Sequence, residues 1–534
     1  MKENNKQNTY NTLFHWHSFR LKLVFEGIVI GILAGLLIVL YRFALEESME
    51  LLKQIYQTLS SKPYCIPIWV GVLIIIGLIV GKITKLEPMV SGSGIPQVEG
   101  VLLRKLKMNW WKVIIGKFVG GVLAIGSGLS LGREGPSVQL GAAVGQGFSK
   151  IFKRVKLEEK YLITSGASAG LAAAFNAPLA GVMFALEEVH KNFSPLVLLS
   201  SLAAALSADY VSSGFFGLKP VFNFKTLSVL PLKSYLYIII LGMILGILGM
   251  LFNKSILSSQ LIYSKIKRIP KELLIMIPLT ISIFLGFFLP DVLGGGHELI
   301  TSLLTNDKSP LTFLLLLLFV KFLFTMVSYG SGAPGGIFLP LLSIGALIGS
   351  IYGALVVYIF HFESIYLNSF IILAMAGYFT AVVRAPITGI ILITEMTGSF
   401  NHLLSLAIVS ITAYIVADFL GSKPIYESLL ENILKKQGNK VAVGSNKHKS
   451  ILEFAICMGS MLDGKLIKDI KWPSHCLLVA VKRGEQEIIP RGDTGLLAGD
   501  YLIVLTNDDR VSKINDSFAK MIGSCEESPQ HTHD

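Results

Sequence analysis

The chain has 534 residues, of which 52% are hydrophobic and only 15% are charged. This composition excludes an ordinary soluble globular protein and indicates a membrane protein with many spans. The formal net charge of +12 is typical of basic loops on the cytoplasmic side of a membrane, an explanation we favour over nucleic-acid binding. A lipid bilayer is therefore an expected partner, and a nucleic-acid polymer is not.

The first apolar run extends from Leu23 to Leu40 and contains one charged residue, Glu26. It is too long for the apolar part of a signal peptide and has no small-residue cleavage site, so we predict a retained helix after a cytoplasmic segment at 1–19. Basic clusters precede this run and recur at 150–160, 265–271 and 435–436. Because loops rich in Lys and Arg remain on the cytoplasmic side of a membrane, we expect a multi-pass protein of the plasma membrane with both termini in the cytoplasm.

Apolar segments continue to about residue 434, but Gly and Pro interrupt many of them. The interruptions cluster at 91–96, 132–136, 332–340 and 421–424. Non-helical backbone at membrane depth is tolerated only where protein or a water-filled cavity satisfies its polar groups. The interruptions therefore predict a site near the middle of the membrane.

Four short motifs place Gly, Ser or Pro at a predicted helix start. They are SGSGIP at 91–96, GREGP at 132–136, GGIFLP at 335–340 and GSKPIY at 421–426. Free backbone N–H groups and the positive end of the helix dipole favour an anion at such a place. Partial charges bind an ion and still release it, whereas full lysine charges hold it too tightly for fast transit.

Glu134 lies in a segment of small and apolar residues, GREGPSVQLGAAVG. An ionisable group at membrane depth is costly unless it is paired or hydrated. The adjacent Arg133 is a poor partner, because neighbouring positions on a helix do not face each other. Glu134 is therefore the first candidate for a functional residue.

The two halves of the apolar region contain an internal repeat. AGLAAAFNAPLAGVMFALEE, from Ala169, returns as AGYFTAVVRAPITGIILITEM, from Ala376, and PSVQLGAAVG at 136 is answered by PLLSIGALIG at 340. The offset stays near 204 to 208 residues. We favour duplication over chance similarity of small residues; the relative orientation of the repeats stays open at this point.

After residue 436 the composition changes. A polar linker at 437–449 leads to a small α/β domain at 450–522, followed by a tail at 523–534 that we expect to be disordered. We predict strands at 452–457, 476–482, 487–490 and 501–505, and helices at 466–470 and 508–520.

The four motifs occur in the order in which the chloride channel and chloride/proton antiporter family has them, and the chain resembles that family over about 20–436. The resemblance implies an all-α polytopic membrane protein with two inverted repeats of broken, tilted helices, at about 20–215 and 230–436. It also implies a homodimer with a separate path in each subunit. The anion would be chloride, bound by the hydroxyls of Ser93 and Tyr426 and the backbone N–H groups of Ile337 and Phe338. Without the resemblance, Tyr426 is better explained as an interfacial aromatic residue.

The same resemblance assigns roles to two glutamates. Ionised Glu134 would block the outer end of the path and would swing away when protonated, which makes it both gate and outer proton carrier. Glu188 matches the inner proton-transfer glutamate, although periodicity alone explains it equally well as a solvated helix end. The neighbouring Glu187, which the repeat places opposite Glu395, is interpreted as structural. Both carriers together favour exchange of chloride for protons over the alternative, a passive voltage-gated or ligand-gated chloride channel.

The C-terminal domain resembles the TrkA-C (RCK-C) domain of potassium-transport regulators, through GSMLDGKLIKDIKWP and the strand pattern around IIPRGDTGLLAGD. Regulation by a small ligand such as a cyclic dinucleotide is one hypothesis, and a dimer-stabilising role is the other. No cofactor or metal is expected. We expect no enzymatic activity either, because His297 in GGGHEL has no matched acid partner for a serine hydrolase.

Overall fold

The structure, a computed structural model, describes residues 2–222, 227–266, 268–305, 310–436, 449–484, 486–507 and 510–522. It divides into two compact units, Met1–Ile433 and Leu434–Asp534. The expected tail at 523–534 lies outside the described residues, as does the expected linker apart from Lys449, which already belongs to the first strand.

The membrane unit is built from helices. In the first half these are α1 Lys2–Ser61, α2 Ile66–Leu86, α3 Ile95–Leu102, α4 Trp110–Gly126, α5 Glu134–Ile151, α6 Lys156–Phe175, α7 Pro178–Phe184 and α8 Pro195–Phe216. In the second half they are α9 Tyr235–Lys265, α10 Met276–Phe288, α11 His297–Thr305, α12 Leu311–Gly330, α13 Phe338–Phe360, α14 Leu367–Val383, α15 Pro386–Thr397, α16 Leu403–Phe419 and α17 Ile425–Lys436. Within the described ranges, nine helices are long and apolar enough to cross a membrane.

The broken helices begin where the motifs predict. Pro96, Pro178 and Pro386 lie in the first turns of α3, α7 and α15, where a missing N–H costs nothing. Gly94 precedes α3 with a φ of 102°, and a Cβ at this position would lie 2.6 Å from Gln139 Oε1. Both the backbone conformation and the close approach require glycine there.

The two halves make the same contacts with the partners exchanged. Gly132 and Gly336 form an antiparallel bridge in which each N–H donates to the other's carbonyl at 2.7 Å. Glu187 accepts a hydrogen bond from the Thr388 N–H, and Glu395 accepts one from the Ala180 N–H, both at 2.8 Å. Reciprocal contacts of this kind require a two-fold relationship between the repeats. The predicted duplication is therefore present in the fold.

Each repeat also buries a lysine at an equivalent place. Lys117 is fully buried, and its Nζ donates to the carbonyls of Val90 at 2.9 Å and Gly92 at 2.6 Å. Lys321 is also fully buried in the second repeat, and its Nζ donates to the carbonyls of Val292 and Gly294, before α11, at 2.8 Å each. Because a buried ammonium needs such acceptors, each lysine holds the loop that leads into a short helix.

The second unit is a four-stranded antiparallel sheet with one helix. Its elements are β1 Lys449–Ala455, β2 Cys476–Arg483, β3 Gln486–Ile488, β4 Tyr501–Asn507 and α18 Val511–Ile522, with the strands in the order β1-β4-β2-β3. Phe518 of α18 stacks on Phe454 of β1 at 4.3 Å between ring centroids, with Trp472 at 5.9 Å. This aromatic cluster lies in the core of the unit.

The strand predictions agree with the structure to within three residues at each end, whereas the helix at 466–470 is wrong. Only a three-residue 3-10 turn, Ile467–Asp469, forms there. The N–H groups of Ile467 and Lys468 donate instead to the carbonyls of Thr494 and Gly492. Pairing with that distant segment removes the donors that a helix would need. The predicted helix at 508–520 forms as Val511–Ile522.

Candidate functional site

The starts of α3, α5 and α13 meet in the middle of the membrane unit. A Cβ on Gly135, in the first turn of α5, would lie 2.4 Å from Ser93 Oγ, which precedes α3. A Cβ on Gly336, just before α13, would lie 3.0 Å from the Gly135 nitrogen. The fourth motif also begins a helix, since α17 starts at Ile425. The sequence prediction that these motifs mark helix starts is confirmed.

Two buried hydroxyls at this meeting point are unpartnered. Ser93 is 1% exposed and Tyr426 is fully buried. Within the described part of the chain, neither Ser93 Oγ nor Tyr426 Oη has a hydrogen-bond partner. Leaving a buried hydroxyl unpaired costs about 1–3 kcal/mol. The hydroxyls of Ser93 and Tyr426 are therefore candidates for contact with a ligand.

Ile337 and Phe338 supply the start of α13, and both are completely buried. The first N–H groups of a helix have no acceptor within it, so they are available to an anion. The ring of Phe184 joins this helix start to Tyr426, because it lies 6.0 Å from the Phe338 ring and 6.3 Å from the Tyr426 ring. The edge-on contact of these rings holds the two candidate ligand-binding elements together.

Glu134 is the first residue of α5 and is completely buried. Its Oε2 accepts a hydrogen bond of 3.3 Å from the Leu339 N–H in the first turn of α13. Its Oε1 has no hydrogen-bond partner among the described residues. As the sequence suggested, Arg133 does not pair with it but donates to Glu46 Oε1 at 3.1 Å. The carboxylate thus occupies a helix N-terminus, which is an anion position.

Glu188 lies in a π-helical turn, Ala185–His190, that continues α7. Its side chain is buried, and its Oε1 is unpartnered within the residues that the structure describes. π-helical turns are rare and are frequently found at functional sites. The adjacent Glu187 points elsewhere, because its carboxylate accepts hydrogen bonds from the first N–H groups of α15. The two neighbouring glutamates therefore differ in environment, in agreement with their separate interpretations.

A cavity of about 550 Å³ adjoins Glu188. Lys191 lines it, and its Nζ pairs with Glu99 Oε1 at 2.8 Å and with Glu427. Glu99 lies on α3, the helix that begins two residues after Ser93, and Glu427 follows Tyr426 on α17. Lys191 thus connects the turn of Glu188 to both hydroxyl-bearing elements. Glu99, Lys191 and Glu427 were not predicted from the sequence. The available signal was a charged residue, Glu99, within the short apolar segment that forms α3.

His297, which the sequence offered as a catalytic residue without an acid partner, is exposed at the start of α11. Its ring stacks on the Phe222 ring at 5.4 Å between centroids. In the described ranges, no group of three or more His, Cys, Asp and Glu side chains is arranged to hold a metal ion.

A family model described as "Voltage gated chloride channel" matches residues 76–418, and one described as "TrkA-C domain" matches residues 451–519. The chain belongs to the voltage-gated chloride channel family. This membership confirms the expected fold class, an all-α polytopic membrane protein of two inverted repeats with a small C-terminal α/β domain. The protein is thus a multi-pass membrane protein.

Relatives and solved structures of this family are similar over nearly their whole lengths. The "H(+)/Cl(-) exchange transporter ClcA" of Vibrio campbellii is 37% identical over 428 residues, which covers 77% of this chain and 90% of the relative. The transporter of the same name from Citrobacter koseri is 34% identical, with 80% and 92% covered. The structure of a slow cyanobacterial Cl−/H+ antiporter has a TM-score of 0.74 and 32% identity, covering 78% of this chain and 99% of that one. A CLC-type fluoride/proton antiporter has a TM-score of 0.63 and 27% identity.

Proposed function

We propose that the protein is an antiporter that exchanges chloride for protons across the plasma membrane. One observation carries the proposal: two carboxylates buried in the membrane unit, those of Glu134 and Glu188, each have one oxygen without a hydrogen-bond partner among the described residues. Such groups are costly in a membrane unless they serve transport. The similarity to relatives named as H+/Cl− exchangers supports the same reading. The alternative, a passive chloride channel, has no need of Glu188.

The anion would bind where the hydroxyls of Ser93 and Tyr426 face the start of α13. The two hydroxyls are buried and have no hydrogen-bond partner among the residues that the structure describes. The N–H groups of Ile337 and Phe338 lie at the start of α13, where the helix itself offers no acceptor. This donor set carries only partial charges. A chloride ion would be held by it and still be released quickly.

Glu134 would gate this path by competing with chloride for the N-terminus of α13. Ionised, its carboxylate accepts the Leu339 N–H bond; protonated, it loses its charge and its attraction for the helix end. Gly132 makes room for the blocking position, because a Cβ there would lie only 2.3 Å from Glu134 Oε2. The same residue would carry the proton at the outer end of the path.

Glu188 would receive the proton at the inner end. The cavity beside it contains polar and charged side chains, among them Lys191, Lys423 and Glu427, and such a cavity can admit water. Glu188 lies four residues after Phe184, the ring that contacts both Phe338 and Tyr426. A proton that leaves Glu188 toward Glu134 would therefore pass close to the anion site.

The remaining assignments extend this proposal. We place both termini in the cytoplasm and assign a homodimer with one transport path per subunit, as expected for this family. The membrane domain would comprise 20–436, and the domain at 450–522 would be regulatory. A cyclic dinucleotide is the candidate ligand for that domain, supported by its match to the TrkA-C description.

The experiment that separates antiporter from channel uses the purified chain in liposomes. A chloride gradient is imposed while valinomycin and potassium clamp the membrane potential at zero. An antiporter moves protons uphill in the direction opposite to chloride, whereas a passive channel conducts chloride and leaves the internal pH unchanged. Protein-free liposomes with the same gradients give the background leak.

A further inference from the structure

Tyr329, in the last turn of α12, places a third buried hydroxyl beside the loop that carries Ser93. The residue is only 3% exposed. A Cβ on Gly92 would lie 3.6 Å from Tyr329 Oη, which is an ordinary contact distance. The Ser93 N–H is directed at the same oxygen. The phenol therefore lies against the peptide that carries the first of the two hydroxyls assigned to the anion.

Backbone hydrogen bonds fix the position of this phenol relative to Ser93. The Gly92 N–H donates to the Gly332 carbonyl at 3.3 Å, and the Gly335 N–H donates to the Gly92 carbonyl at 3.0 Å. Gly332 and Gly335 belong to the segment that leads from Tyr329 to the start of α13. The end of α12, the loop before α3 and the loop before α13 are thus joined through their main chains.

Tyr329 also lies close to Tyr426, which carries the second hydroxyl of the proposed anion site. Among the described residues, Tyr329 has a larger electrostatic effect on the Tyr426 hydroxyl than any other ionisable side chain. Glu188 and Glu134 follow in that order. Because electrostatic interactions weaken with distance, this order indicates that the Tyr329 hydroxyl is the nearest of the three groups.

The proton of the Tyr329 hydroxyl has no acceptor in the part of the chain that the structure describes. Two other tyrosines near helix ends differ in this respect, because Tyr56 donates to the Ser282 carbonyl at 2.9 Å and Tyr263 donates to the Val327 carbonyl at 3.0 Å. Buried hydroxyls are usually satisfied in this way. An anion held between the neighbouring hydroxyls would supply the missing acceptor for Tyr329.

The internal repeat shows that the turn after α12 does not itself require this hydroxyl. IGSG at 125–128 corresponds to YGSG at 329–332, with the same offset of 204 residues. The Gly128 N–H donates to the Ile125 carbonyl at 3.0 Å, and the Gly332 N–H donates to the Tyr329 carbonyl at 3.1 Å. Ile125 is buried, as Tyr329 is. Since an apolar side chain fills the equivalent place in the first repeat, the turn does not explain the phenolic oxygen of the second.

We propose that Tyr329 Oη is a third hydroxyl donor to the transported anion, beside Ser93 Oγ and Tyr426 Oη. The phenol donates a hydrogen bond and keeps its proton. Because it is neutral, it adds a partial charge that strengthens binding and still permits release. The inference rests on the proposed function, since it assigns a further ligand to the same anion site.

Bromide is the probe for this contact, because its anomalous scattering locates it in crystals of the full chain grown with bromide in place of chloride. In the wild type, we expect one peak within hydrogen-bonding distance of all three hydroxyl oxygens. A peak that Ser93 and Tyr426 reach but that lies beyond hydrogen-bonding distance of Tyr329 Oη overturns this inference alone. The absence of a peak at Ser93 and Tyr426 contradicts the proposed anion site itself.

Tyr329→Phe removes only the hydroxyl oxygen and tests the same contact by affinity. We expect the Kd for chloride, measured by isothermal titration calorimetry on the purified full chain, to rise about tenfold, which corresponds to about 1.4 kcal/mol. Tyr263→Phe is the matched control, since its hydroxyl binds a carbonyl of the same helix, α12, and it should leave the Kd nearly unchanged. An unchanged Kd in Tyr329→Phe, or an equal rise in both variants, would contradict the inference. The wild-type bromide crystals decide the question if either variant is poorly folded.

Discussion

Gly132 and Gly336 hold the two repeats together by exchanging both of their backbone hydrogen bonds, each 2.7 Å long. Two residues further along each chain segment, α5 begins at Glu134 and α13 begins at Phe338. The duplication thus places a carboxylate at one helix start and an aromatic ring at its counterpart. The two-fold relationship is therefore broken at these two helix starts. In the proposed mechanism, one repeat would supply the gate, Glu134, and the other the helix end that the gate closes.

Glu134→Gln should conduct chloride at all pH values and transport no protons. In the wild type, the carboxylate becomes protonated as the pH falls, so chloride flux should rise toward acid pH; the neutral amide removes that dependence. Chloride efflux from liposomes between pH 4 and pH 8 measures this dependence in the wild type and in the variant. A variant that keeps the slope of the wild type would show that another group is the gate.

Gly132→Ala should force the Glu134 carboxylate out of its blocking position. The new methyl group would lie 2.3 Å from Oε2 and 3.1 Å from the Leu339 nitrogen, a clash that costs about 1–3 kcal/mol. We expect faster chloride flux with weaker pH dependence. The double variant with Glu134→Gln should resemble Glu134→Gln alone, because the two changes act on one contact. Gly71→Ala is the control, since a Cβ there meets nothing within 4 Å.

Lys191→Met should destabilise the protein, because it leaves the buried Glu99 without its counter-charge. Since the Lys191 side chain is 31% exposed, water compensates part of the change, and we expect a loss of about 1–3 kcal/mol in the free energy of unfolding, the cost of a buried acceptor without its partner. Thermal unfolding in detergent measures the loss. Adding Glu99→Gln should recover part of it, since the amide needs no counter-ion. If Lys191→Met unfolds at the same temperature as the wild type, the Lys191–Glu99 ion pair does not stabilise the fold.

Glu187→Gln and Glu395→Gln should each lower the free energy of unfolding by about 0.5–2 kcal/mol. Each carboxylate caps the start of a helix in the other repeat, α15 for Glu187 and α7 for Glu395. The contacts are of equal length, 2.8 Å to Thr388 N and 2.8 Å to Ala180 N. Thermal unfolding compares the two variants. The ratio of chloride to protons transported should stay at the wild-type value in both; a changed ratio in Glu187→Gln would give that residue a role in the proton path.

In the C-terminal unit, Asp500 should make stability depend on pH. Its carboxylate accepts two hydrogen bonds of 2.8 Å from Arg483 and one of 2.9 Å from the Leu497 N–H. The Arg483 guanidinium lowers the pKa of Asp500 below its ordinary value. Because the folded pKa is the lower one, the stabilisation is complete above about pH 4 and is lost as the pH falls further.

Asp500→Asn should remove this pH dependence and destabilise the unit by about 1–3 kcal/mol, the contribution of hydrogen bonds to a charged group. Hydrogen exchange of the β4 amides in the full chain, corrected for the intrinsic rate at each pH, measures both effects. Asp493→Asn is a control in the same loop region. Identical pH profiles for wild type and Asp500→Asn would contradict the assignment.

The helix starts and Glu134 were predictable because their signals are local. Gly and Pro mark the helix starts directly, and a single carboxylate in an apolar run is conspicuous. The pairing of Lys191 with Glu99 and Glu427 was not predictable, since these residues are far apart in the chain and meet only after folding. The helix at 466–470 was predicted wrongly for a similar reason, because its donors pair with carbonyls at 492 and 494, which no local pattern reveals.

The most direct test of coupled exchange is the simultaneous recording of chloride and proton fluxes through Glu188→Gln in liposomes under an imposed chloride gradient. Chloride should still move at a substantial fraction of the wild-type rate, while uphill proton movement disappears, because the amide cannot carry the proton. Undiminished proton movement would contradict the role of Glu188 as inner carrier. Chloride flux without any proton movement in the wild type itself would make the protein a channel.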